Sequence, residues 1–154
     1  MIPWPDPPLR SGDLVLRPWQ TEDAPALVAA WEDPEIRLWT GVPERRDLAA
    51  AQRWIAGVDA RRARWLSLDL VVDRGGAVVG EVGLWDLDRA AGTAQAGWWT
   101  AAAHRGEGVA TTATTLLVRW ATTALGLHEV LARCDPANPA SRIVAERAGA
   151  RVWS

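Results

Sequence analysis

The chain has 154 residues, which is enough for one domain with a single core, and we expect one domain over 1–154. Apolar residues make up 49% and charged residues 23%, which excludes a disordered tail or a fibrous repeat. The formal charge of −2 gives no general attraction to phosphate backbones or anionic lipid. Composition therefore predicts a globular protein with no nucleic-acid partner and no membrane association.

The residue types present exclude several kinds of catalytic and metal-binding group. Cys134 is the only cysteine, which excludes an intrachain disulfide and a cysteine-cluster metal site, and His104 and His128 are too few for a histidine cage. There are 11 Trp and no Phe, Tyr or Lys, so no phenol can act as an acid and no lysine as a nucleophile. No apolar run approaches the ~20 residues that span a bilayer, and the N-terminal residues do not resemble a signal peptide, so we expect a cytoplasmic protein without a metal.

The first part of the chain predicts one strand and two helical stretches. Residues 1–12 are proline-rich and read as an extended lead-in to a strand over Leu14–Pro18. Thr21, Glu22 and Asp23 cap a helix from Ala24 to Trp31, which Asp33 and Pro34 interrupt. Apolar residues at helical spacing then predict a second stretch from about Arg46 to Arg64.

The middle of the chain changes to strand periodicity. Residues Ser67–Val72 and Ala77–Trp85 flank a turn over Asp73–Gly76, which predicts a hairpin, and Thr93–Thr100 predicts a third antiparallel strand.

The last part alternates helix and strand. A helix over Val109–Leu125 ends at Gly126, a strand follows over Val130–Cys134, and a last helix covers Ser141–Ala148. The strand-helix-strand unit from 93 to 134 should be a right-handed parallel crossover. The fold class expected is α/β, a mixed sheet that is mainly antiparallel and carries helices on its faces.

One loop between a strand and a helix carries a chemical signal. Residues Arg105-Gly106-Glu107-Gly108-Val109-Ala110 begin the long helix. Backbone N–H groups at a helix start are unpaired and lie at the positive end of the dipole, and glycines let an anion approach the main chain. The motif predicts a phosphate-binding site; alternatively, it is a glycine turn that only begins a helix.

Here the sequence resembles the GNAT family of acyl-CoA-dependent N-acetyltransferases. The family signature is Arg or Gln, two residues, Gly, one residue, Gly or Ala, and Arg105, Gly108 and Ala110 match it. The resemblance is closest to the RimJ/RimL-like branch, through the segments Leu16-Arg17-Pro18-Trp19, Glu22-Asp23-Ala24, Gly97-Trp98-Trp99 and Asp135-Pro136-Ala137-Asn138-Pro139-Ala140-Ser141. It implies the GNAT fold, with acetyl-CoA as co-substrate.

The resemblance also implies roles for individual residues. The pyrophosphate of acetyl-CoA would be held, largely by main-chain N–H groups, at Arg105, Gly106, Glu107, Gly108, Val109 and Ala110. The backbone of Trp99, Thr100 and Ala101 would pair with the pantetheine amides like an added strand. Asn138 would steady the pantetheine arm and Ser141 would donate a hydrogen bond to the sulfur; the alternative for both is a turn residue and a helix cap.

The sequence departs from the family where a base and an acid are expected. Gln95 stands where this branch often has a glutamate, and Ala145 stands where some relatives have a tyrosine. Glu81 is the best remaining carboxylate for a catalytic role, although it could instead pair with an arginine. Cys134 is expected to be a small buried apolar residue, and His104 either contacts the cofactor or is solvated.

The end of the chain differs as well, because only four residues follow Gly149-Ala150. We expect a truncated C-terminal strand and an exposed sheet edge, in a monomer or homodimer. The resulting hypothesis is acetyl transfer to a primary amine, either a protein N-terminus such as that of a ribosomal protein or a small molecule. The acidic stretch Glu32–Glu35 would suit a cationic acceptor, or is a solvated helix end. The alternatives are a catalytically impaired acyl-CoA-binding module and a structural domain that binds no cofactor.

Overall fold

The computed structural model describes residues 1–154. It contains one seven-stranded sheet, in which the strands are ordered as they occur in the chain. The strands are β1 (Arg10–Ser11), β2 (Leu14–Pro18), β3 (Ser67–Arg74), β4 (Ala77–Asp88), β5 (Thr93–Thr100), β6 (Glu129–Arg133) and β7 (Arg151–Trp153). The α-helices are α1 (Ala24–Glu32), α2 (Pro34–Trp39), α3 (Leu48–Ala56), α4 (Val58–Ala63), α5 (Val109–Thr123) and α6 (Pro139–Ala148).

The sheet is mixed, as the sequence predicts. Strands β1 to β5 pair antiparallel, and the hairpin between β3 and β4 turns at Gly75 and Gly76, whose φ angles of +61° and +89° favour glycine. Helix α5 connects β5 to a parallel partner, β6, and α6 connects β6 to a parallel β7. The predicted mixed sheet with a parallel crossover is confirmed.

Two helical predictions need correction. The stretch predicted from Arg46 to Arg64 divides at Gly57 into α3 and α4, because the Gly57 N–H closes α3 on the carbonyl of Arg53. Pro34 interrupts α1 as expected, but it also starts the separate helix α2. The Asp33 carboxylate caps that helix, accepting hydrogen bonds from the amides of Glu35 and Ile36 at 2.9 and 3.1 Å.

The sheet separates two groups of buried apolar residues. The larger packs α5 against one face of the sheet, and the smaller packs α1 and α3 against the other face around Val71. The fully buried side chains with less than 2% exposure include Leu68, Leu70, Val82, Leu84, Val109, Leu117 and Val130. Helices therefore cover much of both faces of the sheet.

One opening lies inside the sheet itself. Strand β5 pairs with β6 only from Thr93 to Gln95, opposite Glu129 to Leu131, although β5 continues to Thr100. Beyond Gln95 the two strands diverge. The second half of β5 therefore has backbone groups with no strand partner on that side.

The residues after α6 form the shortened closing strand expected there. Strand β7 has three residues, and its Trp153 donates a hydrogen bond from Nε1 to Gln95 Oε1 at 2.9 Å. No helix is long and apolar enough to cross a bilayer, and no cluster of metal-ligating side chains is present.

Candidate active site

A groove of about 440 Å³ lies where β5 and β6 diverge. It is lined by the end of β5, by the loop that precedes α5 and by the first turns of α5 and α6. Six consecutive backbone N–H groups, from Gly106 to Thr111, donate to no acceptor in the protein; the first helical bond is from Thr112 N to Gly108 O at 3.0 Å. Such a row of free amides at a helix start binds an anion.

Two glycines give this loop its shape. Gly106 and Gly108 have φ angles of +77° and +78°, a region that other residues rarely adopt. A Cβ at either position would meet no protein atom within 4 Å. The space above both glycines is therefore open on the side where a phosphate would approach the amides.

The backbone of β5 confirms the opening but corrects which residues face it. Ala101 donates from N to Val79 O and accepts at O from His104 N, both at 2.9 Å, so its backbone groups are already used. Backbone direction alternates along a strand, so the N–H and C=O groups of Trp99 also face β4. Those of Trp98 and Thr100 face the gap. Of the predicted pairing residues, Thr100 remains, and Trp98 replaces Trp99 and Ala101.

The Arg105 side chain does not lie free in the groove. Its guanidinium pairs with Asp33 at 2.9 Å and with Glu35 at 3.0 Å, and the Arg105 hydrogen bond keeps the pKa of Asp33 below its ordinary value. Asp33 and Glu35 of the acidic stretch are thus bound to the loop, whereas Glu32 is exposed and makes no ion pair. Glu107 pairs in the same way with Arg74 at 2.8 Å and with His104 at 3.1 Å, which lowers the pKa of Glu107.

Asn138 and Ser141 lie at the start of α6, on the opposite side of the groove. The Asn138 side chain accepts a hydrogen bond from the Ser141 amide at 3.3 Å, and the Ser141 hydroxyl donates to the Asn138 carbonyl at 2.8 Å. Asn138 therefore caps the helix, as the structural alternative predicted, and Ser141 lies in its first turn. The Asn138 amide NH2 and the lone pairs of the Ser141 hydroxyl remain available to a ligand.

A second cavity, of about 730 Å³, continues from the groove. The two share the residues Trp39, Thr40, Trp98, Trp99, Asn138 and Ser141. Glu81 and Asp69 reach the second cavity from β4 and β3, and Trp85 borders it. Asn138 and Ser141 therefore stand at the junction of two connected spaces, one with free amides and one with carboxylates.

Glu81 is the most perturbed acid in the protein. Its pKa is raised to about 8, chiefly by burial and in addition by the negative charge of Asp69, while the indole N–H groups of Trp19 and Trp99 act in the opposite direction. Glu81 Oε2 and Trp19 Nε1 are both buried without a hydrogen-bond partner, so the indoles act as nearby dipoles and not as donors to this oxygen. Glu81 makes no ion pair with an arginine. A buried carboxyl with a pKa near neutrality, in a cavity, is suited to proton transfer.

Comparison with known proteins identifies this arrangement. The model of the acetyltransferase (GNAT) domain matches residues 13–151, which is most of the chain. The chain belongs to the GNAT acetyltransferase family. It is an acetyl-CoA-dependent N-acetyltransferase, as the resemblance implied.

Three relatives illustrate the family likeness. The uncharacterized N-acetyltransferase p20 of Bacillus licheniformis is 27% identical over 130 residues, which are 83% of this chain and 73% of that protein. Mycobacterium smegmatis RimJ in complex with CoA-disulfide is 27% identical, with a TM-score of 0.80 over 95% of this chain and 76% of that chain. RimL, a ribosomal L7/L12 alpha-N-protein acetyltransferase, is 18% identical, with a TM-score of 0.76 over 89% of this chain and 76% of that chain, and shows the shared fold.

The residues of this GNAT chain fit the co-substrate that the family implies. The free amides from Gly106 to Thr111 can hold the pyrophosphate, and the gap-facing backbone of Trp98 and Thr100 can pair with the pantetheine amides. Both lie along one continuous groove that ends at Asn138 and Ser141.

The two departures from the family pattern have structural explanations in this acetyltransferase. Gln95 is buried, with 7% exposure, and its carbonyl oxygen is occupied by Trp153. Ala145 is fully buried and belongs to the larger core, as does Cys134. None of the three lines either cavity, whereas the carboxyl groups of Glu81, Asp69 and Asp135 all line the second one.

Several residues that line the second cavity were not predicted from the sequence. Asp69, Gly83 and Trp85 are all part of its lining, and α2 contributes Trp39. A signal was present in the strands, because glycine inside a strand often marks the close approach of a ligand or of another backbone. Gly83 and Gly97 are such glycines, and they lie directly opposite one another.

Proposed function

We propose that this acetyltransferase transfers the acetyl group of acetyl-CoA to a primary amine by direct attack, with Glu81 as the general base. The acceptor is either a protein N-terminus, as the name of the RimL relative indicates for that protein, or a small-molecule amine. The observation that carries this proposal is the junction at Asn138 and Ser141 of the amide-lined groove with the cavity that holds Glu81.

Proton removal is the first requirement of this reaction. A free alkylamine has a pKa of about 10.4 and is protonated at neutral pH, so it cannot attack until it loses a proton. Glu81 is a stronger base than an ordinary carboxylate because burial raises its pKa to about 8. The negative charge of Asp69, which lines the same cavity, also favours entry of an ammonium group.

Charge stabilisation is the second requirement. Bound acetyl-CoA would supply an electrophilic thioester carbonyl. The gap-facing N–H of Trp98 can donate to an oxygen that gains negative charge, while the Trp98 carbonyl and the Thr100 backbone pair with the pantetheine amides. When the new C–N bond forms and the C–S bond breaks, the sulfur needs a donor. We assign that role to Ser141, whose hydroxyl must turn away from the Asn138 carbonyl to fulfil it.

Two measurements test the proposal. The thermal midpoint should rise with acetyl-CoA concentration, because a ligand that binds only the folded state stabilises it. Release of free thiol in the presence of an amine panel should then show turnover. Stabilisation without thiol release from any amine would indicate an acyl-CoA-binding module, and absence of both effects would refute the proposal.

A further inference from the structure

The second cavity, which contains Glu81, is the proposed acceptor cavity. Its floor is formed by backbone without side chains. Along β4, Glu81, Gly83 and Trp85 lie on one face of the sheet, because alternate residues of a strand share a face. In register opposite them on β5 lie Trp99, Gly97 and Gln95. The two glycines pair directly, Gly83 with Gly97, so bare peptide planes are exposed between the indoles of Trp85 and Trp99.

The two glycines differ in what requires them. A Cβ at Gly83 would lie 2.7 Å from the Leu68 carbonyl oxygen, so the strand pairing there requires glycine. A Cβ at Gly97 would meet only Trp85 Nε1, at 3.6 Å. Glycine at 97 is therefore not needed for packing within the protein, and its effect is to leave a flat space beside the Trp85 indole.

The rim of the cavity is apolar and exposed. Trp85 is 46% exposed and lies at one end of the floor, and Leu38 (68%) and Trp39 (36%) reach the cavity from α2. Large apolar side chains gathered around an opening mark a binding surface for an apolar group. Indole faces and edges add a preference for an aromatic group over an aliphatic one.

Four charged side chains line the cavity: Glu81 from β4, Asp69 from β3, and Arg133 and Asp135 at the end of β6 and just after it. Glu81 is two residues from Gly83 along β4, a distance of about 7 Å. Asp69, beside Gly83, is already held by Ser67 Oγ at 2.8 Å and by Arg61 at 3.5 Å. Glu81, whose Oε2 has no hydrogen-bond partner, thus lies a short distance from a flat apolar slot.

From this juxtaposition we propose that the acceptor is an arylalkylamine: an aromatic ring that lies on the Gly83–Gly97 floor against Trp85, joined by a short alkyl chain to the primary amine at Glu81. This substrate class rests on the function proposed above. In the transfer, the amine nitrogen forms a bond to the acetyl carbon, Glu81 accepts the amine proton, and the C–S bond breaks. The thiolate that leaves accepts a hydrogen bond from Ser141 and takes its proton from solvent.

The test compares four acceptors in the thiol-release assay: 2-phenylethylamine, n-propylamine, spermidine and a peptide with a free N-terminus. We expect kcat/KM for 2-phenylethylamine to exceed that for n-propylamine by about tenfold or more, from aromatic contact and burial of the ring. Equal or higher values for propylamine, spermidine or the peptide would overturn the proposal and leave acetyl transfer itself intact.

Gly97→Ala tests the floor directly. Its methyl group fills the space beside Trp85 without a clash, so the ratio of phenylethylamine to propylamine kcat/KM should fall about tenfold, while the thermal shift with acetyl-CoA persists. An unchanged ratio would refute the floor as the ring site. If this variant unfolds, Trp85→Leu replaces it, because Trp85 is half exposed, and the same fall in ratio is expected.

A binding measurement separates the two proposals if no amine releases thiol. Quenching of tryptophan fluorescence by 2-phenylethylamine, at concentrations where n-propylamine has no effect, would support the ring site in a protein that does not turn over. Absence of quenching together with absence of turnover would overturn the substrate class, and a retained thermal shift with acetyl-CoA would then show that the cofactor groove is correct.

Discussion

Replacement of Glu81 by glutamine should stabilise the protein at alkaline pH. The pKa of this carboxyl is raised from its ordinary value of 4.5 to about 8, so the folded state holds the proton more tightly than the unfolded state. The folded state therefore loses stability as the pH rises from about 4.5 to about 8, and the loss is complete above that range. At about 1.4 kcal/mol per pH unit, the loss amounts to roughly 4 to 5 kcal/mol.

Glutamine removes this loss because it carries no proton to lose. Glu81 Oε2 has no hydrogen-bond partner, so the amide forfeits no bond that the protonated acid makes at low pH. Compared with the wild type, Glu81→Gln should be nearly equal in free energy of unfolding near pH 4.5 and more stable by several kcal/mol near pH 9. That gain is large beside a total stability of about 5–15 kcal/mol.

Urea denaturation at these two pH values measures the difference, with Glu22→Gln, at an exposed position, as the surface control. The same variant should have a much lower kcat, and the limb of the wild-type kcat profile that rises toward pH 8 should disappear. A stability difference that is the same at both pH values would refute the buried-base argument, whatever the kinetic result.

Three further outcomes follow from the geometry. Gly108→Val and Gly126→Val should each cost about 1–2 kcal/mol of stability, since their φ angles are +78° and +75° and the space around each is open. Only Gly108→Val should abolish the thermal shift with acetyl-CoA. Loss of the shift in both variants would show that the loop is not part of the cofactor site. Trp153→Phe should lower the free energy of unfolding, measured by urea denaturation, by about 1–3 kcal/mol because it leaves the buried Gln95 oxygen unpaired. A change below about 0.5 kcal/mol would show that this hydrogen bond does not stabilise the fold. Ser141→Ala should lower kcat about tenfold while KM for acetyl-CoA stays within about twofold, and an unchanged kcat would exclude Ser141 as the donor to sulfur.

The sequence was most informative where local signals agreed. Strand β5 has the predicted bounds, Thr93–Thr100, because turn residues precede it and a glycine loop follows it. The loop at Gly106 and Gly108 was recognisable because few residues other than glycine tolerate its φ angles. Gly57 was misjudged, since an isolated glycine inside a helical pattern can either continue the helix or end it.

Features that depend on how two strands pair could not be predicted from local sequence signals. The pairing of Gly83 with Gly97 requires the β4–β5 register, which a shift between Trp85 and Asp88 alters. The divergence of β5 from β6 determines which amides face the gap, and it corrected the role assigned to Ala101. The pKa of Glu81 depends on burial by side chains distant in sequence, and no local motif records that.

The sheet consists of two parts, β1 to β5 and β6 to β7, that are connected by only three residue pairs between β5 and β6. Helix α5 packs against strands of both parts. Ala113 and Ala121 lie on the inner side of that helix with almost no exposed surface, so the helix sits close to the strands. The packing of α5 against both parts of the sheet therefore influences how far β5 and β6 diverge. Bulkier side chains at Ala113 or Ala121 would push the helix away from the strands and alter the fit of a bound thioester without contacting it.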